Sequence, residues 1–219
     1  MNINLKYGNL VAGNVGGDMN LTLKYGKANL QDVRNLTADV GYSKFGMEDT
    51  DKFKMVSKYS KFSAGKVGNA NITSKYDSYK FEEVVDLNST GKYDNFSIGK
   101  ASNVTATAKY SDYNIDYLAK SATAQLSYGN LIIDKTGNAF SDVNFKGSYS
   151  DLKITIPSNK GYELDLEGDY TQISYPKEAL KNKEVIKDGT HTIVKGILGS
   201  NPSGKIKAEG RYGSIKIQR

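Results

Sequence analysis

Residues 58–94, KYSKFSAGKVGNANITSKYDSYKFEEVVDLNSTGKYD, carry one Lys-Tyr step three times, at Lys58-Tyr59, Lys75-Tyr76 and Lys92-Tyr93, each 17 residues after the last. Between the steps apolar residues return to the same places: Phe62, Ala64, Val67, Ala70 and Ile72, then Tyr79, Phe81, Val84 and Leu87. Phe62 and Ala64 are two apart, as are Ala70 and Ile72, which is the spacing of a strand with one apolar face. A repeat of fixed length takes precedence over local readings, because it sets the architecture.

Followed in both directions, the step recurs at Lys6-Tyr7, Lys24-Tyr25 and Lys109-Tyr110, and more loosely at Tyr42, Tyr128, Tyr149, Tyr170 and Tyr212. Successive tyrosines are 17 or 18 residues apart as far as Tyr128, then 21 apart to Tyr170. The last gap, 42 residues, divides at Leu198, because Val194-Lys195-Gly196 matches Phe145-Lys146-Gly147 and Leu166-Glu167-Gly168. Twelve copies then cover the chain.

Stacking the copies on the tyrosine gives apolar columns six and four residues before it and three and five after it. Between these halves the alternation breaks at a small or polar residue (Gly8, Gly26, Ser43, Ser60, Asp77, Asp94) of a type that tolerates turns. A third short apolar segment follows, ending at a polar corner such as Asp18, Asn35, Asn69, Asp86 or Asn103. Strand, bend, strand, short segment and corner make one coil of an all-β, single-stranded β-solenoid. The expected form is a right-handed β-helix of about 12 coils of 17–21 residues. At ~4.8 Å per coil the rod would be on the order of 55–60 Å long. By parity with the buried positions, the tyrosines are expected to point inward, with the hydroxyl reaching solvent or a turn carbonyl. A bend one residue earlier would instead turn them out as an aromatic stripe suited to stacking on sugar rings.

The 219 residues form one domain, 1–219, with regular coils over 1–128 and longer, insert-bearing coils over 129–219. The stretch 176–191 is expected to be irregular, either a helical turn or two over a coil or a polar loop. Several function classes fall away on composition. There is no cysteine and a single histidine, His191, which removes thiolate and His-rich metal sites and most Ser–His relays. No apolar run reaches the roughly 18 residues of a transmembrane segment. Thirty Lys+Arg against 24 Asp+Glu leave a charge of +6 spread over a long rod with no nucleic-acid motif, so no nucleic-acid partner is expected.

The C-terminal stretch carries a resemblance. Leu152-Lys153-Ile154-Thr155-Ile156-Pro157, Gly161-Tyr162-Glu163-Leu164-Asp165-Leu166, Lys195-Gly196-Ile197-Leu198-Gly199 and Gly204-Lys205-Ile206-Lys207-Ala208 lead to a closing Tyr212-Gly213-Ser214-Ile215-Lys216-Ile217. This is similar to the bacterial adhesin-type β-strand-repeat domains of unknown function abundant in Bacteroidetes, which end in a Gly-x-Ile-x-Ile strand after a Gly-rich turn. The resemblance implies a β-solenoid exported to the periplasm or cell surface, with an adhesin role and no catalytic motif. Met1 falls on the first apolar column, so the chain starts on a strand. The expectation is a segment whose signal sequence has been removed.

In a solenoid, outward positions stack into ladders. The candidate ligand-binding face consists of a basic row, Lys24, Lys58, Lys75, Lys92 and Lys109, beside Asn71 and Asn88 and a threonine row, Thr73, Thr90 and Thr107. Amide, hydroxyl and ammonium groups in such an array suit sugar hydroxyls and acidic envelope components. The same residues also keep a sheet face solvated and discourage unwanted pairing. Carboxylates Glu48, Glu82, Asp116 and Asp134 form a second row, six residues after the tyrosine. Glycoside hydrolysis needs two facing carboxylates. The densest acidic cluster, Glu48, Asp49 and Asp51, reads instead as a corner, because adjacent residues of a strand face opposite ways. No catalytic residue, metal or cofactor is assigned. The expected function is a non-catalytic adhesin or glycan- or envelope-binding module. The alternatives are a scaffold that self-associates end to end and, less favoured, a polysaccharide-active enzyme.

Overall fold

A computed structural model describes residues 1–219. Each strand segment pairs in parallel with the segments one coil away. Residues 69–75 lie between 52–58 and 86–92, and residues 61–64 lie between 44–47 and 78–81. The protein is a β-solenoid. Nine coils, from Tyr7 to Tyr149, stack in chain order. The apolar columns are its core, a single cluster of 52 buried residues running the length of the rod. Within it, Tyr79, Phe96 and Tyr113 stack as rungs 4.6 Å apart. One coil has nothing to bury these side chains against, so the ~1.5–3 kcal/mol from burying each large apolar group is gained only between coils.

The corner departs from expectation. All eleven column tyrosines, Tyr7 through Tyr212, adopt left-handed backbone with φ between 48° and 61°. One left-handed residue interrupts the alternation of a strand, so the tyrosine and the residue before it both point outward. The residue after the tyrosine is the one that turns in. The tyrosine column is therefore exposed, contrary to the inward orientation predicted by parity. Ser43, Ser60, Asp77, Asp94, Ser111 and Ser150 are the buried residues of the corner. They form a polar spine joining coil to coil. Asp77 Oδ1 accepts the Ser60 N–H at 2.6 Å, Asp94 Oδ1 accepts the Asp77 N–H at 2.9 Å, and Ser111 Oγ accepts the Asp94 N–H at 3.1 Å. The tyrosine N–H groups continue the backbone ladder, Tyr59 to the Lys75 carbonyl and Tyr76 to the Lys92 carbonyl, both at 3.0 Å.

The C-terminal end also corrects the twelve-copy count. Strand His191–Leu198 runs antiparallel to Gly161–Ser174, so the match at Leu198 is a local likeness and not a coil. Leu198 is fully buried opposite Tyr162. Residues 176–191 are not irregular. After a single 3₁₀ turn, Lys177–Ala179, comes strand Leu180–Asp188, the outer arm of a hairpin with His191–Leu198. That hairpin lies over one side of the Tyr170 coil. The final strand, Pro202–Gln218, then inserts between coils already laid down. It pairs in parallel with 142–148 and 151–155 on one side and with Gly161–Ser174 on the other. The two ends of the rod differ as a result. The first coil leaves Ile3, Leu5, Leu10, Ala12 and Val15 only partly buried. The hairpin edge carries Lys181, Lys183 and Lys187, all exposed.

Candidate functional site

The left-handed corner holds the tyrosine rings against one another outside the core. Neighbouring rings stack at centroid distances of 4.7–5.2 Å and interplanar angles of 3–18°. In spatial order the column runs Tyr7, 25, 42, 59, 76, 93, 110, 128, 149, 212, 170, since the inserted last coil places Tyr212 between Tyr149 and Tyr170. Exposure ranges from 71% for Tyr7, at the open end, to 36% for Tyr212. Left-handed backbone at a bulky residue costs ~1–2 kcal/mol, and each aromatic stack returns ~0.5–1.5 kcal/mol. The two nearly cancel coil by coil. Gly or Asn would satisfy the backbone without strain. The ladder therefore exists through the ring, and tyrosine recurs at every corner while the preceding residue drifts among Lys, Gly, Ser, Arg and Asp.

Stacking decides what this ridge can offer. Each interior ring has both faces covered by its neighbours, so a sugar ring cannot lie flat on it. The ridge presents ring edges and a row of phenolic hydroxyls at the coil spacing. Beside it lies the predicted face. Asn71 and Asn88 are in register, as are Thr73, Thr90 and Thr107, and Lys58, Lys75, Lys92 and Lys109. All nine side chains are exposed. None of the four lysines has a carboxylate partner, although Lys75 Nζ also sits 5.1 Å from the centroid of the Tyr76 ring. Lys24 is different, being ion-paired with Asp39 at 2.5 Å. The gap in the row at Gly41 is covered by the Lys24 stem, whose Cδ would lie 3.2 Å from a Cβ added there.

A second basic row flanks the ridge on its other side. Lys27, Lys44 and Lys61 stand two residues after Tyr25, Tyr42 and Tyr59, in register and exposed. Strand parity alone places the tyrosine inward, which hides the fact that the two rows share one ridge. The signal was present: lysine recurs at that spacing in three consecutive coils.

The acidic residues have structural work. Asp49 Oδ1 accepts the Lys66 N–H at 2.8 Å, and Asp32 Oδ1 accepts the Asp49 N–H at 3.2 Å, a second side-chain spine at the far corner. Asp18 and Asn35, and likewise Asp86 and Asn103, bond across coils at 2.7 Å. Glu48, Glu82, Asp116 and Asp134 are exposed along the opposite edge. His191 lies in the hairpin with Nδ1 2.9 Å from Asp169 Oδ1 and Nε2 3.8 Å from Glu167 Oε1. No cluster of three or more histidine and carboxylate side chains is placed to hold a metal ion. No helix is long and apolar enough to cross a membrane.

Inside the spine, burial holds the carboxyl groups of Asp77 and Asp94 above their ordinary range, with Asp94 raised to about 6. Burial likewise pushes up the phenols of Tyr79 and Tyr113, whose hydroxyls bond Ser57 and Ser89. These groups are enclosed and belong to the framework of the site. No family model, curated protein or solved structure matches the chain.

Proposed function

We propose that this protein is a non-catalytic binding module of adhesin type, exported to the cell envelope, that lays an extended glycan along its Asn/Thr/Lys face against the tyrosine ridge. The observation that carries this reading is the in-register face itself. Asn71–Asn88, Thr73–Thr90–Thr107 and Lys58–Lys75–Lys92–Lys109 repeat one set of donors per coil with no carboxylate interleaved among them. A repeating polymer meets such a face with many weak, identical contacts, which sum to useful affinity without a pocket. The grooves on the rod are open and shallow, which suits a chain lying along the surface better than a small molecule enclosed by it. The envelope location rests on the resemblance of the C-terminal strands. The test is binding of immobilised extended glycans by the intact protein and by an Asn71→Ala, Asn88→Ala, Thr90→Val variant. Loss of retention in the variant, with folding unchanged by circular dichroism, supports the reading. Equal retention by both proteins refutes it.

A further inference from the structure

We infer that the ridge between Tyr25 and Tyr59 is an anion-selective site and that the glycan it takes is a linear acidic one, bearing carboxylate or sulfate groups along its length. This rests on the binding-module reading above and adds the chemical class of the ligand and a second contact for it, across the ridge from the Asn/Thr/Lys face. Tyr25, Tyr42 and Tyr59 line one groove of about 560 Å³ together with Lys27, Lys44 and Lys61, and no acidic side chain lines it. None of these three lysines is ion-paired, although ion pairs occur elsewhere on the rod.

The chemistry follows from the geometry. The stacked rings cannot offer their faces, so the groove supplies phenolic O–H and ammonium N–H donors, with the Asn9 amide at its N-terminal end. It holds an uncompensated row of positive charge at the coil spacing. Like charges stacked in successive coils repel one another even in water. An anionic group seated between successive ammonium groups relieves that repulsion, and a neutral hydroxyl does not. An acidic polymer meets the row with one anionic group after another, each also within reach of a phenol. Further along the ridge the flanking residues change character. The positions equivalent to Lys27, Lys44 and Lys61 become Ser78, Asn95, Asp112, Asn130 and Asp151. The contacts on this side of the ridge are therefore confined to the N-terminal coils, and the same polymer reaches the Asn/Thr/Lys face across the ridge.

The experiment compares polygalacturonate, dextran sulfate and neutral dextran as probes. Each is titrated against the intact protein, against a Lys27→Ser, Lys44→Ser, Lys61→Ser variant, and against a Lys177→Ser, Lys183→Ser, Lys187→Ser control with the same loss of charge on the hairpin side. The expected result is binding of both acidic polymers, weakened about tenfold or more in the groove variant and less than about twofold in the control. That binding should fall steeply as ionic strength rises. Neutral dextran binding as well as the acidic polymers would overturn the inference while leaving the glycan-binding reading standing. Equal losses in the two lysine variants would overturn it by showing attraction to net charge alone. Failure of all three probes would remove the reading and the inference together.

Discussion

Asp94→Asn should make the protein more stable at neutral pH and remove much of its pH dependence. Asp94 is 4% exposed and sits in the corner spine, with Oδ1 accepting the Asp77 N–H at 2.9 Å and Oδ2 accepting the Ser74 hydroxyl at 2.8 Å. Those bonds favour the ionised form, but burial outweighs them, and the neighbouring Asp77 carboxyl adds to the upward shift. A carboxyl raised to about 6 from an ordinary 3.8 penalises the folded state by about 3 kcal/mol once ionised, at 1.36 kcal/mol per tenfold change in proton affinity. The sign follows from the direction of the shift. The folded state binds the proton more tightly than the unfolded chain, so this contribution is fully present below pH ~4 and is lost as pH rises through about 6. Asparagine keeps the shape, retains an acceptor for the Asp77 N–H and carries no charge. Denaturant unfolding at intervals from pH 4.5 to 7.5 should show the wild type losing stability across this window while the variant loses far less. At pH 7.5 the variant should be more stable by about 2–3 kcal/mol, or roughly 5–10 °C in Tm for a chain of this size. Parallel stability–pH curves for the two proteins, or a variant less stable at pH 7.5, would refute the assignment of burial as the dominant cause.

Three further outcomes follow from the packing. Tyr93→Ala should cost about 1–2 kcal/mol in thermal or denaturant unfolding, because it removes two stacks and keeps the left-handed strain, whereas Tyr93→Gly should be milder because glycine relieves that strain. Equal effects of the two would mean that the backbone there is unstrained. Tyr162→Phe should leave stability unchanged or raise it by up to about 1–2 kcal/mol, since the Tyr162 hydroxyl is buried without a hydrogen-bond partner; a clear loss in the same assay would show that the hydroxyl is satisfied. Deleting residues 202–219 should expose amide protons in both 142–155 and 161–174 to rapid hydrogen exchange, because the last strand is the shared partner of both segments. Protection persisting in either segment would argue against the inserted order.

Most of the coil could be read from the chain, because core burial in a solenoid recurs at the same offset in every copy. Phe45, Phe62, Tyr79, Phe96 and Tyr113 were identifiable as one column, and all are buried. The exposed Asn71, Thr73 and Lys75 and their equivalents were legible for the same reason: strand alternation puts them opposite the core. The corner is ambiguous in the sequence because two bends fit the same parity break. Turning at the residue after the tyrosine buries the ring, and turning at the tyrosine exposes it. Gly, Ser and Asp after the tyrosine have the character of turn formers, yet the position is small because it faces inward, where the Ser and Asp side chains cap backbone N–H groups. Gly91 shows the same crowding from the other side, since a Cβ there would lie 2.1 Å from Asp94 Oδ2.

The amino-acid sequence by itself determined the period, the parallel coil and the content of the core, because those depend on local alternation repeated at a constant shift. Only the tertiary structure decided which way the tyrosines face, since that turns on one backbone dihedral whose strain is offset by rings from neighbouring coils. It also decided where the last strand goes. Pro202–Gln218 reads as one more coil in line, but its partners are 142–155 and 161–174. Strand edges pair with whichever complementary edge is open in space, and chain order does not specify that edge. The ridge with lysines on both sides exists only because the tyrosines face outward.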